Sequence, residues 1–110
     1  MKLPNAARAV VEIEKLRDYC LSASHPRGKH KARVFGTSLD MTAEDAEELR
    51  DAILSAVISE DATSTEADEY GQRYVVDFMM SRQGRQATIR TAWIIRTNED
   101  FPRLTSCYVL

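Results

Sequence analysis

Both histidines of the chain and four of its cations fall within eleven residues, His25-Pro26-Arg27-Gly28-Lys29-His30-Lys31-Ala32-Arg33-Val34-Phe35, with no acid among them. Imidazole, with a reference pKa of about 6.5, exchanges protons near neutrality. Ammonium and guanidinium groups bind phosphate. Together these are the parts that metal-independent RNA cleavage needs. A base takes the 2′-hydroxyl proton, an acid protonates the leaving oxygen, and cations stabilise the charged phosphorane. Each proton step contributes on the order of 10²–10⁴-fold, and fixed cations supply the electrostatic part. His25, Lys29, His30 and Lys31 gather these groups at one loop–helix junction, where a helix start adds N–H donors. His25 is expected as the general acid or base, Lys31 as the phosphate ligand, and Arg27 and Lys29 as RNA contacts.

The same residues exclude other chemistry. Two histidines five apart, without a cysteine partner nearby, lack a zinc ligand set, and the cations would repel a metal. The Gly-rich phosphate loop ending in Gly-Lys-Ser/Thr is absent, as are nucleophile-elbow and Cys-His arrangements. No metal and no cofactor is expected. Cys20 and Cys107 read as buried thiols whose spacing carries no metal or redox signature.

The elements that position these groups change character along the chain. The first half is helical. Ile13, Leu16, Tyr19 and Cys20 follow helical spacing, preceded by Ala9-Val10-Val11, a short strand or an early helical turn. Ser22–Pro26 ends this helix, because the residue before proline is pushed out of the helical region. Pro26 opens a second short helix that ends at Gly36. Thr42, with Asp45 three positions on, starts a third, whose apolar face is Ala46, Leu49, Ile53, Leu54 and Val57. Residues 59–69 are polar and loop-like.

The second half is strand-forming: 73–80, a turn at 81–85, 87–95 and 103–110. This is α+β, with N-terminal helices packed on one face of a three- to four-stranded antiparallel sheet in a single domain, residues 1–110, helical over 13–57 and sheet over 72–110. Arg90-Thr91 and Arg103-x-Thr105 each pair a bidentate phosphate donor with a hydroxyl on neighbouring strands. Trp93 and Tyr108 are candidates to stack on bases. Each has a structural reading as well: Trp93 as core, Thr91 and Thr105 as β-formers, His30 and Arg33 as solvated surface, and Tyr19, Tyr70 and Tyr74 as packing.

Charge is unevenly laid out. Residues 40–69 hold eleven acids and one base, Arg50, although the net charge is only −2, so the rest of the chain is strongly basic. This reads either as a solvated acidic helix or as an anionic face opposite a phosphate-binding one. No apolar run is long enough to span a bilayer, and the N-terminus lacks a signal-peptide pattern, so a cytoplasmic protein is expected.

Several motifs carry a family resemblance over residues 13–110. Lys15-Leu16-x-x-Tyr19-x-Leu21, His25-Pro26-x-Gly28-x-x-Lys31-Ala32-x-x-Phe35, Tyr70-Gly71-x-Arg73-Tyr74-x-Val76-Asp77, Arg90-Thr91-Ala92-Trp93-Ile94 and Pro102-Arg103-Leu104-Thr105 resemble a family of small bacterial domains. Similar domains form the C-terminal tips of contact-dependent and filamentous haemagglutinin-like toxins, and these resemble the barnase/EndoU/colicin/RelE ribonucleases. The resemblance implies cleavage of tRNA or mRNA, with His25, Lys31, Arg90, Thr91 and Thr105 as the site; Lys29 and His30 fall on its variable positions. Unlike the toxin tips, the chain starts with a methionine, and no delivery domain is expected. It would act in the cell that makes it, with a small neutralising protein partner encoded nearby. The competing expectations are a non-catalytic binding module, antitoxin-like or a degenerate nuclease, and an RNA-binding domain that leaves RNA intact.

Overall fold

The computed structural model describes residues 1–110. Its sheet is a four-stranded antiparallel meander, β1 (Ala62–Asp68), β2 (Gly71–Arg82), β3 (Arg85–Arg96) and β4 (Arg103–Val109), in spatial order β1-β2-β3-β4. Gln83 and Gly84 join β2 to β3 with φ of 51° and 78°. This is the doubly left-handed two-residue turn whose twist matches that of the strands it connects. It sets a register that pairs Asp77 with Arg90 and Val76 with Thr91.

Helices cover one face. α1 (Ile13–Lys15) continues directly into a π-helical turn (Leu16–Cys20), followed by α2 (Lys29–Leu39) and α3 (Ala46–Ser59). The core lies between them and the sheet. Leu16, Phe35, Leu39, Leu49, Ile53 and Val57 meet Val76, Ile89 and Trp93, all essentially inaccessible. Each such side chain contributes about 1.5–3 kcal/mol by leaving water. The capping box before α3 forms as expected: the Glu44 N–H donates to Thr42 Oγ1, and the Thr42 N–H donates to Asp45 Oδ2 at 2.9 Å. Arg82, at the end of β2, ties the sheet to the helices. Its guanidinium donates to Glu48, to the Leu39 and Asp40 carbonyls at 2.8 and 2.7 Å, and pairs with Asp45.

Two boundaries differ from the sequence reading, and one alternative it left open is resolved. Residues 62–68 are a strand, not a loop. Only Ala62 of β1 is buried, so its burial pattern is not alternating; pairing with β2 makes it a strand. α2 runs past Gly36 to Leu39 and ends at Asp40, which takes the left-handed conformation at φ 54°. Val10 is extended and bridges β4 in parallel: its N–H donates to the Pro102 carbonyl, and the Leu104 N–H donates to the Val10 carbonyl at 3.0 Å. It covers part of an edge that would otherwise be open. No helix is long and apolar enough to cross a membrane.

Candidate functional site

The loop between the π-turn and α2 is shaped by three side chains and one missing one. His25 Nδ1 accepts the backbone N–H groups of Arg27 and Gly28 at 2.9 and 3.0 Å. It thereby satisfies donors at the start of α2 that have no helical partner. The neutral ring must then carry its proton on Nε2. The ring stands edge-on to Tyr19, with centroids 4.9 Å apart. Buried Gly28 lies against the Tyr19 carbonyl, where no side chain would fit.

One turn into α2, Lys31 reaches back and donates from Nζ to the Tyr19 hydroxyl at 2.7 Å. The ammonium stands 4.7 Å from the centre of the Tyr19 ring and 5.9 Å from that of Tyr108 on β4. Each cation–π contact of this kind is worth about 0.5–2 kcal/mol. Tyr108 pairs with Arg90 across the β3–β4 ladder. Arg90 in turn makes a two-pronged bond to Asp77, 2.9 Å on each prong. The Asp77 carboxylate, and behind it the Tyr108 hydroxyl, raise the Arg90 pKa. A continuous line of polar groups therefore runs His25–Tyr19–Lys31–Tyr108–Arg90–Asp77 around the β4 edge.

The electrostatics along this line are uneven. Arg8, Arg17, Arg73, Arg82, Arg90 and Arg103 all have carboxylate partners. Arg27, Lys29, Lys31 and Arg33 have none. α2 carries no acid at all. Two grooves flank its cationic ridge. One, about 550 Å³, is bordered by Lys29, His30 and Arg33. The other is lined by His30, Lys31, Val34, Tyr108 and Val109. Beyond Tyr19, an open cleft of about 620 Å³ brings His25, Arg27 and Thr105 together. Of its acids, Asp18 is bound to Arg17 and Glu12 lies 3.6 Å from Arg103, which leaves Glu14 as the unpaired carboxylate on the rim.

Several expected site residues stand elsewhere. Thr91 is fully buried on the helix-facing side of β3. It donates to the Val76 carbonyl and accepts from Trp93 Nε1, each at 2.7 Å. Neither Thr91 nor Trp93, itself 1 % exposed, presents a surface to RNA; the side-chain alternation that puts Arg90 outside puts both of them inside. Thr91→Val, which keeps the shape and removes the hydroxyl, is expected to lower stability by about 1–3 kcal/mol by orphaning the indole N–H. The midpoint of urea unfolding reads this loss. Arg103 is engaged by Glu99, with two bonds at 2.9 Å, and stacks on Phe101. Thr105 stands at the β4 bulge, donates to the Ala92 carbonyl and stays on the cleft wall.

Tyr19 and Tyr108, read from the sequence as packing and as a stacking platform, are instead the two walls around Lys31. Only the strand register connects Tyr108 with Arg90, and nothing local in the sequence places Tyr19 beside a lysine twelve residues on.

Comparison with known families matches a domain of unknown function, DUF6883, over residues 2–110. The chain belongs to the DUF6883 family. The match takes in helices and sheet together, so the α2–β4 junction lies inside the family's domain. No curated protein matches the chain.

Proposed function

We propose that this DUF6883 domain binds RNA along α2 and cleaves it without a metal at the phosphate site built on Lys31. The observation that carries the reading is that ammonium group. It is half-buried, held between two tyrosine rings and without a carboxylate partner, so an anion is the ligand its field favours. Arg27 and Lys29 hold neighbouring phosphates. Lys31 takes the scissile one and stabilises the phosphorane.

The hydrogen bonds change the part His25 plays. Its Nδ1 is occupied by two backbone donors, so it presents an Nε2 proton to the phosphate and holds the loop, rather than alternating as acid and base. The proton steps fall to the Tyr19 and Tyr108 hydroxyls, which stand beside Lys31 and Arg90. Thr105 positions the chain on the cleft wall. The reading brings with it the cytoplasm as the compartment, RNA as substrate and a small neutralising protein as partner.

The locked His25 ring also favours a second reading, in which the same surface binds RNA and leaves it intact. One experiment separates the two. Labelled RNA is incubated with the protein and EDTA, and products and retained RNA are followed against salt. Cleavage that Lys31→Met removes supports the first reading. Salt-sensitive binding of intact RNA supports the second, and RNA that is neither cleaved nor retained overturns both.

A further inference from the structure

Lys31 does not line the groove of about 550 Å³ on the other side of α2. Lys29, His30 and Arg33 border that groove, all exposed and none paired with a carboxylate. None of its lining residues is acidic. Its floor is apolar. Leu21 and Met41 come from the segments before and after α2, and Ala32 from α2 itself. Ala32 is buried yet stands outside the main core cluster.

Gly36 completes the lining, and nothing inside the protein requires a glycine there. Within a helix, glycine lowers stability. Gly36 does not end α2, which runs on to Leu39 and is closed by Asp40. It is not among the glycines with positive φ. A Cβ at this position would meet nothing nearer than the Met41 carbonyl oxygen at 3.8 Å, so no packed neighbour excludes one. The missing side chain instead leaves room in the groove, where another backbone can approach α2 closely.

We propose that this groove receives an acidic amphipathic helix of a protein partner, laid across α2 at Ala32 and Gly36. Charge and shape select the occupant. Lys29 and Arg33 are four apart on α2, which sets their Cβ atoms about 5–6 Å apart. Carboxylates four apart on a facing helix have the same spacing. The apolar stripe of that helix covers the floor, and its carboxylates meet the cations at the rim. A phosphodiester backbone would satisfy the rim and leave the apolar floor in water, so RNA suits the groove less well. Lys29 is also a phosphate ligand in the proposed function; on that reading, a partner seated here withdraws Lys29 from RNA. The groove itself does not depend on RNA cleavage.

The test selects phage-displayed helical peptides on the folded, full-length protein, without RNA. The expected survivors carry apolar residues three and four apart, flanked by Glu or Asp four apart. Their synthetic forms should shift the NMR signals of the Ala32, Arg33 and Gly36 amides. Lys29→Glu combined with Arg33→Glu should weaken them at least about tenfold. Gly36→Leu, which fills the groove and leaves every charge in place, should do the same, and Gly36→Ala should weaken them less. Unfolding midpoints check that each variant folds, and retention of labelled RNA by Gly36→Leu should stay within about twofold of the parent. No enriched peptide, enrichment of basic ones, or binding indifferent to both Gly36 variants overturns the proposal. So does RNA retention that falls with Gly36→Leu, which would place RNA in the groove, or dodecanoate bound more tightly than any peptide, which would place an acyl chain there. RNA that is never cleaved counts against the proposed function alone, because the peptides are read without RNA.

Discussion

Gly28→Ala is expected to destabilise the protein by about 3 kcal/mol or more, above the ordinary range for overpacking. The reason is close approach, not backbone conformation: Gly28 has φ −88°, which any residue accepts. A Cβ at this position would stand 2.0 Å from the Tyr19 carbonyl oxygen, 2.8 Å from its carbon and 3.1 Å from Tyr19 Cδ1. Two of these three atoms are backbone, so no rotamer change relieves the contact. Either the end of the π-turn or the start of α2 must move.

Both movements also part Tyr19 from Lys31 and loosen the His25 cap on the Gly28 N–H. Gly36→Ala supplies the contrast. Its Cβ would meet nothing closer than the Met41 carbonyl oxygen at 3.8 Å, inside α2. That change should stabilise by about 0.5–1 kcal/mol through helix propensity. Urea unfolding of the two variants beside the parent measures both effects. Wild-type stability for Gly28→Ala would mean that the turn does not pack as described.

Gly28 also shows where sequence reading stops. Its sequence neighbours predict a helix opening at Pro26, whereas residues 26–28 form a turn and α2 begins only at Lys29. The approach of the Tyr19 carbonyl is a tertiary contact with no periodic signature. Features closed within a few residues were legible: the Thr42–Asp45 cap, the Gln83-Gly84 turn, and the apolar stripe from Ala46 to Val57. β1 was not, because Thr63 to Asp68 are all exposed and the strand owes its existence to hydrogen bonds with β2. At the site, the basic cluster identified Lys31, but the roles of its neighbours depended on geometry. Thr91 and Arg90 are adjacent in sequence and end on opposite faces of the sheet. His25 carries an imidazole suited to proton exchange and spends one nitrogen on the backbone.

Lys31→Met should reduce RNA cleavage by on the order of 10²–10³-fold, the scale of losing one preorganised charge from a transition state. Methionine nearly matches lysine in length and keeps an apolar stem between Tyr19 and Tyr108. The fold should therefore lose only the hydrogen bond to Tyr19 and the cation–π contacts, about 1–2 kcal/mol. Lys29→Met is the control, because Lys29 is exposed and borders the groove on the other side of α2. It should lower affinity at low salt and flatten the salt dependence by about one phosphate contact, with cleavage at saturating RNA changed by less than about tenfold. The measurement is the initial cleavage rate of a labelled RNA in EDTA, at limiting and saturating substrate, beside the unfolding midpoint of each variant. A folded Lys31→Met that cleaves like the parent would move the chemistry away from the α2–β4 junction. If Lys29→Met alone abolished cleavage, the scissile phosphate would belong in the Lys29–His30–Arg33 groove. A loss confined to Lys31→Met ties the cleavage to the ammonium between the two tyrosines, since the variants differ chiefly in which side of α2 has lost its charge.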